Sequence, residues 1–345
     1  MRFELLHRLL RPFAFAAALL PGSTCVRAQP APGGSRLAII VGTPAGGGYD
    51  TYGRLVSRHF GAFLPGNPVA VVQNMPGGGS LIAANWLTNA APKDGSAVGI
   101  VPNGTVFEAL LGNRNAHFDA KKLNFIGSLN EFTSVGAVWH TTPFLTTRDF
   151  MYGGVLVGAS AANSNNSVVP NLLNSLVGTN FRIVNGYPGS TGIDLAMERG
   201  EVQGQMGPDW GFMKVTKAEW VRNRQIRVLL QATLKRHPEL ADVPAVMEFV
   251  SAENRDVLAL LIGRQTYGGL FLAPPGIPER AVATLQQAFA TMAASEAFRD
   301  DARKSGMTLR FTSAEEVTAT MGRLLASSPD VIAKATAELR KIDPL

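Results

Sequence analysis

Short apolar runs alternate with glycine-rich turns and amphipathic stretches along most of the chain. The run 36–41 (RLAIIV) is rich in β-branched residues and predicts a buried strand. The turn 42–48 follows, and then Tyr52, Leu55, Val56, His59 and Phe60 recur at spacings of three and four, which predicts a helix. The pattern repeats: a strand over 68–73, a glycine turn over 74–80 and a helix over 81–89, then a strand over 97–101, the turn 102–105 and a further helix. A fourth strand is expected over 123–129. Such alternation predicts βαβ units, with a parallel sheet covered by helices on both faces.

A second alternating block begins at 154. Strands are expected over 154–158, 181–185, 202–206 and 226–231, with helices over 168–177 and 191–199. A last strand over 268–273 precedes two C-terminal helices at about 278–305 and 313–341. Two blocks imply two α/β lobes. In such sheets ligands collect beyond the carboxyl ends of the strands, where loops meet helix N-termini, and the glycine-rich and Asn/Ser-rich turns all fall there.

Gly46, Gly47 and Gly48 lack Cβ atoms and allow main-chain N–H groups to converge. The helix that follows adds its unpaired N–H groups and a positive dipole end of about half a charge. Together they can hold an anion without a basic side chain, or they can form a tight connection and nothing more. The pattern is neither GxGxxG nor GxxxxGK[ST], so a nucleotide is not favoured. The segment 163–167 (NSNNS) offers amides and hydroxyls ahead of another helix, for ligand or for capping. Asn103 and Thr105 share that ambiguity. Tyr49, Tyr187 and Trp210 each adjoin such a turn, where a ring can pack or stack on a ligand. Asp50, at a helix start, suits a cap better than a general base.

Composition narrows the chemistry. The chain has 345 residues, room for about two domains. Its only cysteine, Cys25, excludes an intramolecular disulfide framework and any CxxC metal site. There is no GxSxG elbow and no HExxH pair, so neither catalytic residues nor a metal or other cofactor is expected. The N-terminus has a basic start, an apolar run over 12–20 and Val26 and Ala28 at −3 and −1 of a cleavage point; this predicts a signal peptide over 1–28 and a tether over 29–35. Cys25 leaves a lipoprotein as the alternative. The net charge is +6, of which the leader contributes +3, and no dense basic run with aromatics appears, so nucleic acid is not an expected partner.

Several segments carry a resemblance, in order, from about 38 to 320. Pro44-Ala45-Gly46-Gly47-Gly48-Tyr49-Asp50 resembles the PPGGxxD turn of the Bug receptors, the TctC-like solute receptors of tripartite tricarboxylate transporters. Asn74-Met75-Pro76-Gly77-Gly78-Gly79-Ser80 resembles their NRPGAGG segment, and Ala91-Pro92-Lys93-Asp94-Gly95 their APxDG turn. Tyr187-Pro188-Gly189-Ser190 followed by Gly200-Glu201-Val202, then the stretch from His237 to Pro244, then the stretch from Leu272 to Pro278, match further family patterns. Tyr49 stands where a small Thr is usual, and Met75 replaces an Arg. The resemblance implies a two-lobe fold of the periplasmic-binding type (type II) with two crossovers. It places lobe 1 at 36–137 plus 268–345 and lobe 2 at 138–267. It also implies a periplasmic, monomeric receptor that closes on a small carboxylate and passes it to membrane subunits. One jaw would hold Thr43, Ala45, Gly46, Gly47, Gly48, Tyr49 and Asp50, with Asn103 and Thr105 beside them. The other would hold Asn163, Ser164, Asn165, Ser167, Tyr187, Gly189, Ser190, Asp209 and Trp210. A receptor presenting its ligand-bound form to a sensor is the alternative, and a secreted enzyme a further one.

Overall fold

The computed structural model describes residues 36–161 and 164–342. The expected leader, its cleavage point, Cys25, the tether and Asn163 lie outside the described residues. Two five-stranded sheets organise the rest. Along the chain the first comprises β1 (Arg36–Val41), β2 (Val69–Asn74), β3 (Ala97–Ile100), β4 (Asn124–Ser128) and, much later, β10 (Leu270–Ala273), in the spatial order β2-β1-β3-β10-β4. The second comprises β5 (Ser134–Trp139), β6 (Leu156–Gly158), β7 (Arg182–Val184), β8 (Gly204–Asp209) and β9 (Ile226–Gln231), in the order β7-β6-β8-β5-β9.

Burial explains the strand composition. β1 lies inside its sheet with both faces covered, so Leu37, Ile39, Ile40 and Val41 are all sealed and the strand reads as one apolar run. β2 is equally apolar but forms an edge, and Val69 is 64% exposed. The sheets are mixed rather than purely parallel. β1 pairs parallel with β2 and β3, and β6 with β7 and β8, as expected. β10 runs antiparallel to β3 and β4, and β5 antiparallel to β8 and β9. These two reversed strands are the ones that follow the crossovers.

The crossovers 130–133 and 264–269 are hydrogen-bonded to each other. Phe132 N–H donates to Thr266 O at 2.7 Å and Gly268 N–H donates to Asn130 O at 2.9 Å. The chain thus leaves the first sheet after β4, builds the second, and returns beside its own exit.

Helices fill the connections: α1 (Gly48–His59), α2 (Leu81–Asn89), α3 (Thr147–Tyr152), α4 (Asn165–Val177), α5 (Gly189–Glu198), α6 (Trp210–Thr216), α7 (Ala218–Arg222), α8 (Ala252–Gly263), α9 (Glu279–Ala294), α10 (Glu296–Lys304), α11 (Ala314–Leu325) and α12 (Pro329–Ile342). The helix expected after β3 is a single 3-10 turn, Thr105–Phe107. Each expected C-terminal helix is two. The first breaks at Ser295, whose extended backbone caps α10; the second breaks before Pro329, which opens α12. Residues 134–137, counted with the first lobe on sequence, lie in a strand of the second sheet. Likewise α12, from the chain's far end, packs on α4 and α8, with Val331, Ile332 and Leu339 against the buried core.

Candidate functional site

Parallel pairing places the carboxyl ends of β1, β2 and β3 at one edge of the first sheet, and those of β6, β7 and β8 at one edge of the second. At the first edge, β1 ends and the exposed turn Ala45-Gly46-Gly47 leads into α1. Gly46 takes φ +86°, which an L side chain rarely adopts. Gly47 is the N-cap, extended at φ −80°, and has no side chain to cap the helix. The first-turn N–H groups of α1 therefore lack the usual capping oxygen and face outward beneath three glycines.

Asp50 holds this turn from inside. It is 1% exposed. Its Oδ2 accepts from Gly46 N–H at 2.8 Å and from Arg54 Nε at 2.7 Å, and its Oδ1 accepts from Asn74 Nδ2 at 2.8 Å. The same Asn74 amide donates to Thr43 O at 2.9 Å. Burial alone would raise the Asp50 pKa; Arg54, the Gly46 N–H and Asn74 outweigh it and bring it to about 2. Asp50 is thus a fixed anion supporting the turn, and its carboxylate also consumes the Gly46 N–H. The main-chain donors left at the start of α1 are those of Gly47, Gly48, Tyr49 and Asp50. Beneath them the Thr43 hydroxyl is buried and has no hydrogen-bond partner among the described residues.

The neighbouring turns brace the first. Ser80 Oγ donates to Gly42 O at 2.6 Å, and Thr105 Oγ1 donates to Gly79 O at 3.1 Å. Thr105 is buried and its hydroxyl is spent on this contact, so it ties two turns together rather than presenting a polar group. Asn103 N–H donates to the Tyr49 hydroxyl at 3.4 Å, and Asn103 Nδ2 donates to Gln265 O at 2.7 Å. One residue thereby links the α1 jaw to the returning crossover.

At the second edge three helices start in a row. Ser164 occupies the N-cap position of α4 without a side-chain cap bond; its Oγ lies within hydrogen-bond distance of both Ala161 O and Asn166 Oδ1, and the Asn166 oxygen also accepts from Ser160 N–H at 3.1 Å. Ser167 is buried. Asn165 sits against the end of β8: a Cβ on Gly207, which has φ +112°, would lie 2.8 Å from Asn165 O. Gly189 takes φ +69° and opens α5 with Ser190 exposed beside it and no side-chain cap. Tyr187 packs into the core of the second sheet, and its hydroxyl reaches Glu201 at 3.5 Å. Trp210 does likewise: it is 8% exposed and its Nε1 donates to Glu239 at 3.0 Å. Trp210 leaves little of its ring for a ligand, whereas Tyr187 is only half-buried.

Asp209 ties the second edge to the outgoing crossover. Its carboxylate accepts from Phe212 N–H at 3.0 Å, capping α6, and from Thr133 N–H of the outgoing crossover at 2.9 Å. Burial raises its pKa, against the pull of those N–H donors. Across from it, Tyr52 is pushed up to about 12, by burial first and then by the Asp209 charge. Tyr52 Oη donates to Thr308 O at 3.0 Å, and a Cβ on Gly211 would sit 3.8 Å from Thr308. The start of α6 therefore faces α1.

Asn74, Ser80, Tyr52 and Gly207 shape these edges and were not named as candidate site residues on sequence. The polar side chains among them act on main chain or on another side chain, which no spacing rule reveals. Among the described residues no group of His, Cys, Asp and Glu is placed to hold a metal, and no helix is long and apolar enough to cross a membrane.

Two mixed sheets, paired crossovers and facing rows of helix N-termini define a two-lobe fold of the periplasmic-binding-protein class. A TctC solute-binding protein from Polaromonas, without ligand, shares it with a TM-score of 0.69 at 19% identity, over 89% of this chain and 98% of that one. So do MatC from Rhodopseudomonas palustris with bound malate (TM-score 0.53, 20% identity, 88% of this chain and 98% of that one) and Rpa4515 from R. palustris with adipate (0.55, 19%, 88% and 97%). No curated protein matches the sequence. The family model described as "Tripartite tricarboxylate transporter family receptor" (TctC) matches residues 62–335, and the chain belongs to that family of solute-binding receptors.

Proposed function

We propose that this protein is a periplasmic receptor that captures a small dicarboxylate between its lobes and delivers it to the membrane subunits of a tripartite transporter. The single observation that carries this reading is the exposed, uncapped N-terminus of α1 under Gly46, Gly47 and Gly48. Gly47, Gly48 and Tyr49 N–H groups hold one carboxylate, helped by the dipole of α1. The starts of α4 and α5, with Ser164, Asn165 and Ser190, hold the other. Tyr49, fixed by Asn103, lies along the ligand body. Bound malate and adipate in relatives of the same fold support the ligand class, both being dicarboxylates. The expected leader supports the compartment. The lobes swing about the crossovers 130–133 and 264–269. A ligand that touches both jaws stabilises only the closed arrangement.

Calorimetry with the dicarboxylates from succinate to adipate tests this. Gly47 is extended, and a Cβ there meets only Pro44 O at 3.5 Å and Thr43 Oγ1 at 3.9 Å, so Gly47→Val folds without strain while its methyls cover the α1 N–H groups. The variant is expected to bind at least about a hundredfold more weakly, the loss of roughly two charge-assisted hydrogen bonds. Unchanged affinity would remove the site from the turn.

A further inference from the structure

A cavity of about 820 Å³ is lined by none of the residues expected to touch the dicarboxylate. We propose that it is a second binding site, for a small amphipathic monoanion. Its volume is within the roughly 300–1,000 Å³ usual for ligand sites. One wall comes from both crossovers and the strand that follows, through Phe132, Ser134 and Thr266; the others come from α4, α8, α11 and α12.

The lining is divided by chemistry. Val169 and Leu172 of α4, Ala259 and Ile262 of α8, Leu324 of α11 and Val331 of α12 form an apolar wall. An apolar hollow of this size gains by exchanging loosely held water for hydrocarbon. Ser134 is among the lining residues, 4% exposed, and its Oγ has no hydrogen-bond partner among the described residues.

Charge selects the sign of the ligand. Of the charged side chains on the lining, Glu131 is paired with Arg310 at 2.6 Å and Lys235 with Glu316 at 3.2 Å. Arg255, Asp256 and Arg323 remain without an ion pair among the described residues, which leaves one positive charge in excess. An acyl chain on the apolar wall, with its carboxylate at Arg255 and Arg323, matches both halves. The site needs nothing from the α1 turn and stands whether or not the dicarboxylate reading holds.

Octanoate is the probe, titrated calorimetrically into the full chain, with octylammonium as its cationic counterpart. Octanoate is expected to bind saturably, one per chain, and at least about tenfold more tightly than octylammonium, a difference of about 1.4 kcal/mol. Arg323 is exposed, so Arg323→Gln leaves the fold intact and is expected to weaken octanoate about fivefold or more. Ala259→Phe, checked for folding by its melting curve, fills the cavity and is expected to abolish binding. Gly47→Val is expected to leave octanoate binding unchanged. The proposal is overturned by the absence of saturable octanoate binding at millimolar concentration, by Arg323→Gln or a folded Ala259→Phe binding as tightly as the parent, or by a loss in Gly47→Val that places octanoate at the α1 turn. If Ala259→Phe does not fold, Arg323→Gln and the octylammonium comparison decide.

Discussion

Asp50 shows how a single side chain can be read correctly in chemistry and incompletely in role. Its place at a helix start suggested a cap or a dipole partner; it lies in the first turn of α1 and accepts from Gly46 N–H, while the N-cap, Gly47, has no side-chain cap. Its burial, and the way Asn74 clamps it to Thr43 O across 24 residues of chain, were invisible in the sequence. Because its folded pKa is lowered from 3.8 to about 2, the ionised form stabilises the fold above pH 3.8, and that contribution is lost as pH falls toward 2. The shift corresponds to about 2 kcal/mol at most, since its partner Arg54 is half exposed and screened. Asp209 has the opposite sign: burial raises its pKa, so its contribution is greatest at low pH and fades as pH rises through the raised value. Acid titration of the melting temperature is expected to fall more steeply between pH 4 and about 2 in the parent than in Asp50→Asn. Parallel curves would mean that the turn does not depend on this carboxylate.

Most legible strands ended in a glycine turn; β9, which does not, was legible from its apolar run alone. β1, β2, β3, β6 and β9, with α1 and α2, fall within a few residues of expectation, because burial on both faces or amphipathic spacing leaves a clear pattern. β5 was missed. It follows β4 after only a short crossover with no glycine turn, and its sequence SVGAVW includes Gly136, where a Cβ would meet the Phe150 ring at 2.3 Å. That glycine serves packing, not turning. α3, α6 and α8 were also missed, the first two being too short for periodicity to register. Gly207 makes the same point at the site. Its φ of +112° and its 2.8 Å approach to Asn165 O leave no room for a side chain. Gly207→Ala is expected to displace the start of α4 and cost about 2 kcal/mol or more, measured by denaturant unfolding. A cost below about 0.5 kcal/mol would show that β8 and α4 do not need this close approach.

At the scale of the molecule, the two-block pattern foretold two α/β lobes but not their antiparallel strands. Those depend on the crossovers, whose pairing through Phe132 and Gly268 is a contact between segments more than 130 residues apart. The return of α12 to α4 and α8 is equally non-local, and nothing in α12's own pattern says which lobe it will cover. The paired crossovers connect both sheets through the same two segments, 130–133 and 264–269. The proposed carboxylate site at the N-terminus of α1 is the decisive one. Amide NMR of the deuterated protein during titration with a dicarboxylate tests it most directly. The Gly47, Gly48 and Tyr49 amide protons are expected to move downfield together and saturably, while the Gly46 amide, already given to Asp50, moves least. Saturable binding that leaves the Gly47, Gly48 and Tyr49 amides unmoved would contradict it.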